Sequence, residues 1–405
     1  MAAAVSLRAQ GGSNYSIIGF GDMRQSVGAG YDGIGGSVYG VNSDYLINSI
    51  NPALWGLVKN TRIQGGYRFN QIRITQGSDI TSQNNGKLDG AAVLFALDTA
   101  TATAASIGIF PSSSINYAFT RNISIPKDSS EGGGSIGGLS NFYGSGGLVT
   151  AYLGGTTHVT DGLHLGASAL IHFGTIIDRY ETTMYSESSY NSLNARRDQM
   201  TGFGGRIGAM WMSADKLLTI GGALTVNGTI RYNTTINYRT ESQAGQISID
   251  TNFLSSGSSP MPTIAGIGAS YRSGKFLFAG DVEYTAMSGI TYRMNDGITP
   301  GNAFRASFGI SRLGVQSAGT AYFDRVAFSI GGGMRQLYFK VDGVAISEFY
   351  GSFGMQLPFG GAAMVDASIN AGIRGAANLL REEFIRFNVS MSVGETWFVP
   401  FKRED

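Results

Sequence analysis

The 405 residues include 60 Gly, 8 Pro and no Cys, with 42% hydrophobic side chains and 29 basic residues set against 28 acidic ones. Gly at about twice ordinary usage, without a Gly-X-Y period, excludes collagen, and 23 Phe with 19 Tyr exclude a disordered glycine-rich chain. A net charge of +1 offers nucleic acid no electrostatic footprint, no apolar run reaches the roughly 18 residues of a membrane helix, and the lack of Cys removes disulfides and thiolate metal sites.

Met1 to Gln10 reads as the remnant of a secretory signal or as a disordered terminus. From there to about residue 58 the chain is rich in Gly and without period, and it ends in Asn51-Pro52-Ala53. A stretch this long without alternation predicts a packed plug, so residues 11–58 are assigned to an amino-terminal hatch. Within it, Gly28-Ala29-Gly30-Tyr31-Asp32-Gly33 matches a dinucleotide-binding fingerprint. No strand precedes it and no helix follows, so it carries no cofactor meaning.

From Arg62 onward the dominant period is two. Near the end, Val365, Ala367, Ile369, Ala371 and Ile373 share one face and Asp366, Ser368, Asn370 and Arg374 the other. Alternation and turn signals predict fourteen strands, at 62–75, 87–98, 103–120, 142–159, 163–186, 197–213, 217–240, 262–272, 275–292, 301–313, 324–340, 345–357, 362–375 and 382–395. Short turns such as Thr160-Asp161-Gly162 alternate with long polar connections such as Arg121 to Asn141, Glu187 to Arg196 and Glu241 to Met261. An even strand number, this loop asymmetry and a lipid-facing apolar row predict an all-β, transmembrane antiparallel barrel in a bacterial outer membrane. The barrel takes residues 59–398, with a tail at 399–405, and Trp397 and Phe398 fall in an interfacial aromatic girdle.

Three features resemble the FadL/TodX family of outer-membrane transporters for long-chain fatty acids and aromatic hydrocarbons. Gly35-Gly36-Ser37 through Asn48, then Asn51-Pro52-Ala53, is similar to that family's hatch and its tripeptide. Ile109-Phe110-Pro111-Ser112-Ser113-Ser114 places a Pro inside the third strand, where the family has a kink that opens the wall. The ending Phe384 to Phe398 resembles the family's last strand. The resemblance implies a hatch gated at Asn51, Pro52 and Ala53, and a hydrophobic small molecule that binds in the lumen and leaves sideways at Phe110, Pro111, Ser112, Ser113 and Ser114. Independently, Pro111 lacks the N–H a ladder needs, which predicts a local break in the wall.

The remaining polar residues give no enzyme. No Ser-His-Asp set is fixed by spacing, and no catalytic, metal or cofactor site is expected. His158 falls opposite His164, and His172 shares their lumenal face; a His pair can bind metal or titrate near neutral pH, but with no third ligand set by spacing these read as lumen polarity. Lumenal charges of both signs are expected to pair across strands, while Arg305, Arg335, Arg374 and Arg386 are the candidates to meet a substrate carboxylate. The expected partners are a hydrophobic ligand and outer-membrane lipid, with the chain a monomer or one subunit of a larger outer-membrane complex. The alternative function is a secretion-linked or adhesive barrel that serves as a protein-binding platform.

Overall fold

The computed structural model describes residues 12–24, 28–77, 79–126, 134–186, 190–242, 245–317, 319–360, 362–377 and 379–397. Fourteen barrel strands follow one another in chain order, each antiparallel to the next. They are β1 (Thr61–Gln76), β2 (Asp79–Asp98), β3 in two pieces (Thr103–Pro111 and Ser113–Pro126), β4 (Ser135–Thr160), β5 (Leu163–Met184), β6 (Tyr190–Met212) and β7 in two pieces (Leu218–Asn227 and Thr229–Ser242). The rest are β8 in two pieces (Ile247–Pro260 and Thr263–Ser273), β9 (Phe276–Ala286), β10 in two pieces (Ile298–Pro300 and Ala303–Arg312), β11 (Ala327–Val341), β12 (Val344–Pro358), β13 (Met364–Gly375) and β14 (Arg381–Glu395). β14 pairs with β1 from Arg381↔Thr75 to Glu395↔Thr61, which closes the barrel.

Alternation sorts the side chains as it must in such a wall. Along β5, Leu165, Ile171 and Phe173 are exposed on the outside, while His164, Ser168, Leu170 and His172 are buried inside. Trp397 lies exposed at the rim against Phe95, with ring centroids 6.1 Å apart; Phe398 and the tail lie outside the described residues, as does the segment before Gly12. No described helix is long and apolar enough to cross a membrane.

The described parts of the three long polar connections are mostly strand. Ser113–Pro126 pairs with β4 up to Pro126↔Ser135, β6 begins at Tyr190, and Ile247–Pro260 pairs with β7 along its whole length. Likewise β2 begins at Asp79 rather than near 87. Where both faces of a hairpin meet water there is no apolar alternation to read, so hydrophobic period is silent there although the ladder continues. In the other direction, the ninth strand stops at Ala286, and Met287, Ile290 and Tyr292 are buried inside the barrel.

The described residues of 12–58 pack inside the barrel. A 3₁₀ turn (Asn14–Ile17), a two-residue strand (Asp22–Met23), a short helix α1 (Ala29–Gly33) and a second 3₁₀ helix (Pro52–Leu57) follow one another in it. The segment is not confined to the half of the barrel where β1 starts. Asn14 N donates to Glu382 beside Arg381↔Thr75 at the far rim, whereas Asn51 to Leu57 lie near the entry end. Its apolar side chains supply the core, with Phe20, Tyr31, Tyr39, Ile47 and Trp55 each 2% exposed or less.

Candidate functional site

Strand β3 breaks where the sequence places Pro111. Its first piece pairs with β2 only as far as Ala91↔Ile109, and with β4 as far as Pro111↔Val149. Its second piece resumes on β4 at Ile115↔Gly146, slipped by one residue, so Ser112 is an inserted bulge residue. The bulge reverses the inward phase, from Phe110 to Ser113 and Ile115. On β4 the chain accommodates it with Gly146 and Gly147 at φ 108 and 133; a Cβ on Gly147 would lie 2.4 Å from the Ser113 carbonyl.

Beyond the bulge, no ladder joins β2 to β3 among the described residues. The inner segment supplies β3 with its second neighbour instead. Asp22 and Met23 pair with Ser114 and Ser113, Arg24 N donates to Ser112 O at 2.9 Å, and Gly12 N donates to Asn116 O at 2.8 Å. Only side chains of β2 reach across, such as Lys87 Nζ to Ser114 Oγ at 2.9 Å and Gln83 Nε2 to Ala118 O at 2.5 Å. Behind this seam, between inner segment and wall, lies a polar cavity of about 100 Å³ bordered by Arg24, Asn85, Ser114 and Asn116.

Ion pairs hold the inner segment in place. A transverse row crosses six strands in register, Glu283↔Arg305↔Arg335↔Glu348↔Arg374↔Glu382. Glu348, buried, accepts from Arg335 at 3.0 Å, Arg374 at 2.5 Å and Arg386 at 3.0 Å. Asp22 of the inner segment completes the set, bonded to Arg335 at 2.9 Å and Arg374 at 3.0 Å. A second group joins Asp32 of α1 to Arg68 at 2.6 Å, with Arg68 also 3.1 Å from Asp89. Arg305 sits 3.5 Å from Glu283 and donates to Gly36 O at 2.9 Å. The four arginines expected to await a ligand are therefore lumenal but engaged, each with a carboxylate and three of them with the inner segment itself.

Burial opposes the charge on Asp22, but the guanidinium groups of Arg374, Arg335 and Arg386 outweigh it and hold the carboxyl at about 2, below its ordinary 3.8. A depressed folded value means this contribution is complete above about pH 4 and is lost as pH falls towards 2. The share of the inner segment's protease protection that Asp22 supplies, read as the difference between the parent and Asp22→Asn, should accordingly persist down to about pH 4 and shrink below that.

Asn51-Pro52-Ala53 packs on β5, β6 and β7 and not beside strand three. Asn51 Nδ2 donates to Tyr39 O at 2.9 Å and to Ala209 O at 3.2 Å, and its Oδ1 caps the 3₁₀ helix by accepting from Ala53 N at 3.1 Å. The same helix does reach strand three further on. Trp55 stacks on Tyr152 with centroids 5.7 Å apart, and Tyr152 meets Phe110 at 6.1 Å. His158 and His164 pair across the β4–β5 turn with rings 5.4 Å apart, while His172 bonds Thr150 and Asn227. No described group of three or more His, Asp and Glu is placed to hold a metal ion. Asp22, Asp32, Arg68 and Asp89 went unread in the sequence. The available signal was that a segment so poor in charge as 12–58 has to pair each charge it buries.

Solved structures of similar architecture include the toluene transporter TodX of Pseudomonas putida, 13% identical with a TM-score of 0.57 over 93% of this chain and 99% of that one. A FadL homologue of Pseudomonas aeruginosa is 12% identical, with a TM-score of 0.60 over 92% and 99% of the two chains. The monoaromatic hydrocarbon channel CymD is 13% identical, with a TM-score of 0.58 over 92% and 98%. No curated protein matches significantly. At these identities the FadL/TodX resemblance is one of fold, whereas the family model BamG matches residues 1–404. The chain belongs to the BamG family and shares its barrel architecture with the hydrocarbon channels.

Proposed function

We propose that this chain is an outer-membrane channel, not an enzyme, that passes hydrophobic small molecules sideways through the seam between β2 and β3, with residues 12–60 acting as the hatch. The observation that carries this reading is the ladder break at Ser112, where the hatch, not a strand, completes the wall. A wall closed by a separate segment opens when that segment moves, whereas a continuous ladder would have to break many hydrogen bonds. In the docked state Arg305, Arg335 and Arg374 anchor the hatch while Arg386 is held by Glu348, and a substrate carboxylate reaches this group once Asp22 and Gly36 have left. The test joins Lys87→Cys to Ser114→Cys with a short thiol cross-linker and follows uptake of a fluorescent fatty acid. Uptake should fall severalfold and return on cleavage of the linker. Equal uptake by the bridged protein would remove the lateral route.

A second reading, a barrel that serves as a protein-binding platform within a larger outer-membrane complex, is favoured by how full the lumen is. The cavities against the inner segment are about 40 and 100 Å³, against several hundred for a preformed ligand site. Under that reading a severed or bridged seam leaves hydrophobic uptake unchanged, and the same experiment separates the two.

A further inference from the structure

The wall lacks one strand on its outer half, at a place far along the barrel from Pro111. β9 ends at Ala286, opposite Thr263 of β8, and its last pair on the other side is Thr285↔Ala303 of β10. Both neighbours continue outward. Among the described residues, however, the Ile247–Pro260 piece of β8 pairs with β7 alone, and the Ile298–Pro300 piece of β10 with β11 alone. The β8 edge is exposed at nearly every residue and carries a single charge, Asp250, with no Lys or Arg and no Pro before Pro260. Natural edges left to face water are usually blunted by such residues. This one is shaped to be covered.

The chain that would cover it is residues 287–297, between β9 and β10. Continuing β9 outward, Ser288, Ile290 and Tyr292 would follow Tyr284 on the outer face, and Gly289, Thr291 and Arg293 would follow Thr285 on the lumenal face. Asn295-Asp296-Gly297 then supplies a hairpin turn back into β10. Instead the segment is folded inward, with Ile290 and Tyr292 at 2% and 1% exposure. Tyr292 donates to Asp198 at 2.5 Å and stacks on Phe20 at 5.2 Å, and Arg293 donates to Asp178 at 2.6 Å. Arg293 pays for this with a left-handed backbone, φ 53, in a residue that is not Gly. The distance to the wall is short, since Thr291 N already donates to Ser259 Oγ of the open β8 edge at 3.2 Å.

We propose that residues 287–297 exchange between two seats, the lumen and the slot in the wall between β8 and β10. In the wall seat the unpaired backbone of both edges gains a ladder partner, and the lumen above the inner segment is vacated. In the lumenal seat the segment plugs the barrel and leaves the slot open. Phe20 and the Gly19 N–H, which donates to Arg293 O at 3.4 Å, touch the segment only in the lumenal seat, so release of the inner segment favours the wall seat. The exchange does not depend on what the lumen carries.

The chain has no Cys, so introduced pairs report without background. Ser258→Cys with Ile290→Cys reads the wall seat, because Ser258 is exposed outside the wall while Ile290 is buried within it. Phe20→Cys with Tyr292→Cys reads the lumenal seat. Heat-modifiable gel mobility confirms that each variant is a folded barrel before oxidation. The wall disulfide is expected to form, and adding Asp178→Asn, which weakens the Arg293 contact, should raise its yield severalfold and lower that of the lumenal disulfide. A lumenal disulfide at full yield, with no wall disulfide even in the Asp178→Asn background of a folded barrel, would overturn the exchange.

Discussion

Glu348→Gln should loosen the inner segment by about 3–5 kcal/mol, the usual cost of leaving a buried charge without its partner. Glu348 is 1% exposed and accepts from three guanidinium groups at once. Neutralising it leaves Arg335, Arg374 and Arg386 facing only Asp22 and Glu382. The ladders of the wall do not depend on it, so the loss should appear as protease sensitivity of residues 12–60 in a barrel that still resists heat in a gel. Removing the most exposed of the three cations as well, in Glu348→Gln with Arg386→Met, restores the charge count and should recover a large part of the loss. Unchanged protection in the single variant would show that the packing of Phe20, Tyr39 and Trp55 holds the segment without the ions.

How far this arrangement was legible in the sequence depends on what each stretch contacts. β13 and β14 were read almost to the residue, because one face meets an apolar exterior and the other a polar lumen, and Val365 to Ile373 alternate against Asp366 to Arg374 without a slip. Ile247–Pro260 was read as loop because both its faces are exposed, which leaves no contrast for the period to show. Residues 287–292 failed in the opposite sense. Their alternation is genuine, yet Tyr292 and Arg293 find carboxylates inside the barrel, and tertiary contacts took precedence over local pattern. The strand breaks one residue past Pro111, whose missing N–H is a fact local to the chain. That the break is covered by Asp22 and Met23 is a contact across at least 90 residues, which no spacing rule reaches. The same holds for the tripeptide. Asn51 was marked for its neighbours in the chain, but its place on β5, β6 and β7 is set by small residues far downstream.

Those small residues carry the second large effect. Gly208 and Gly221 line the floor on which the tripeptide rests, and neither has room for a methyl group. A Cβ on Gly208 would lie 2.2 Å from Asn51 Oδ1 and 2.8 Å from Pro52 Cδ, and one on Gly221 would lie 2.1 Å from Tyr39 O. The two contacts differ in what can give way. Asn51 Oδ1 belongs to a side chain, whereas Tyr39 O is backbone, in a stretch pinned by Asp281, which accepts from both Val38 N and Tyr39 N. Gly221→Ala should therefore cost more than Gly208→Ala, about 2–3 against 1–2 kcal/mol on the usual scale for overpacking. Gly205→Ala on the same strand as Gly208 is the control, since its Cβ would meet nothing closer than 3.9 Å. Thermal release of the inner segment, followed by protease, should rank the three as Gly221→Ala, then Gly208→Ala, then Gly205→Ala near the parent. If Gly221→Ala releases no earlier than Gly205→Ala, Tyr39 to Ala53 is free to shift as a body, and the tripeptide is not seated by these glycines.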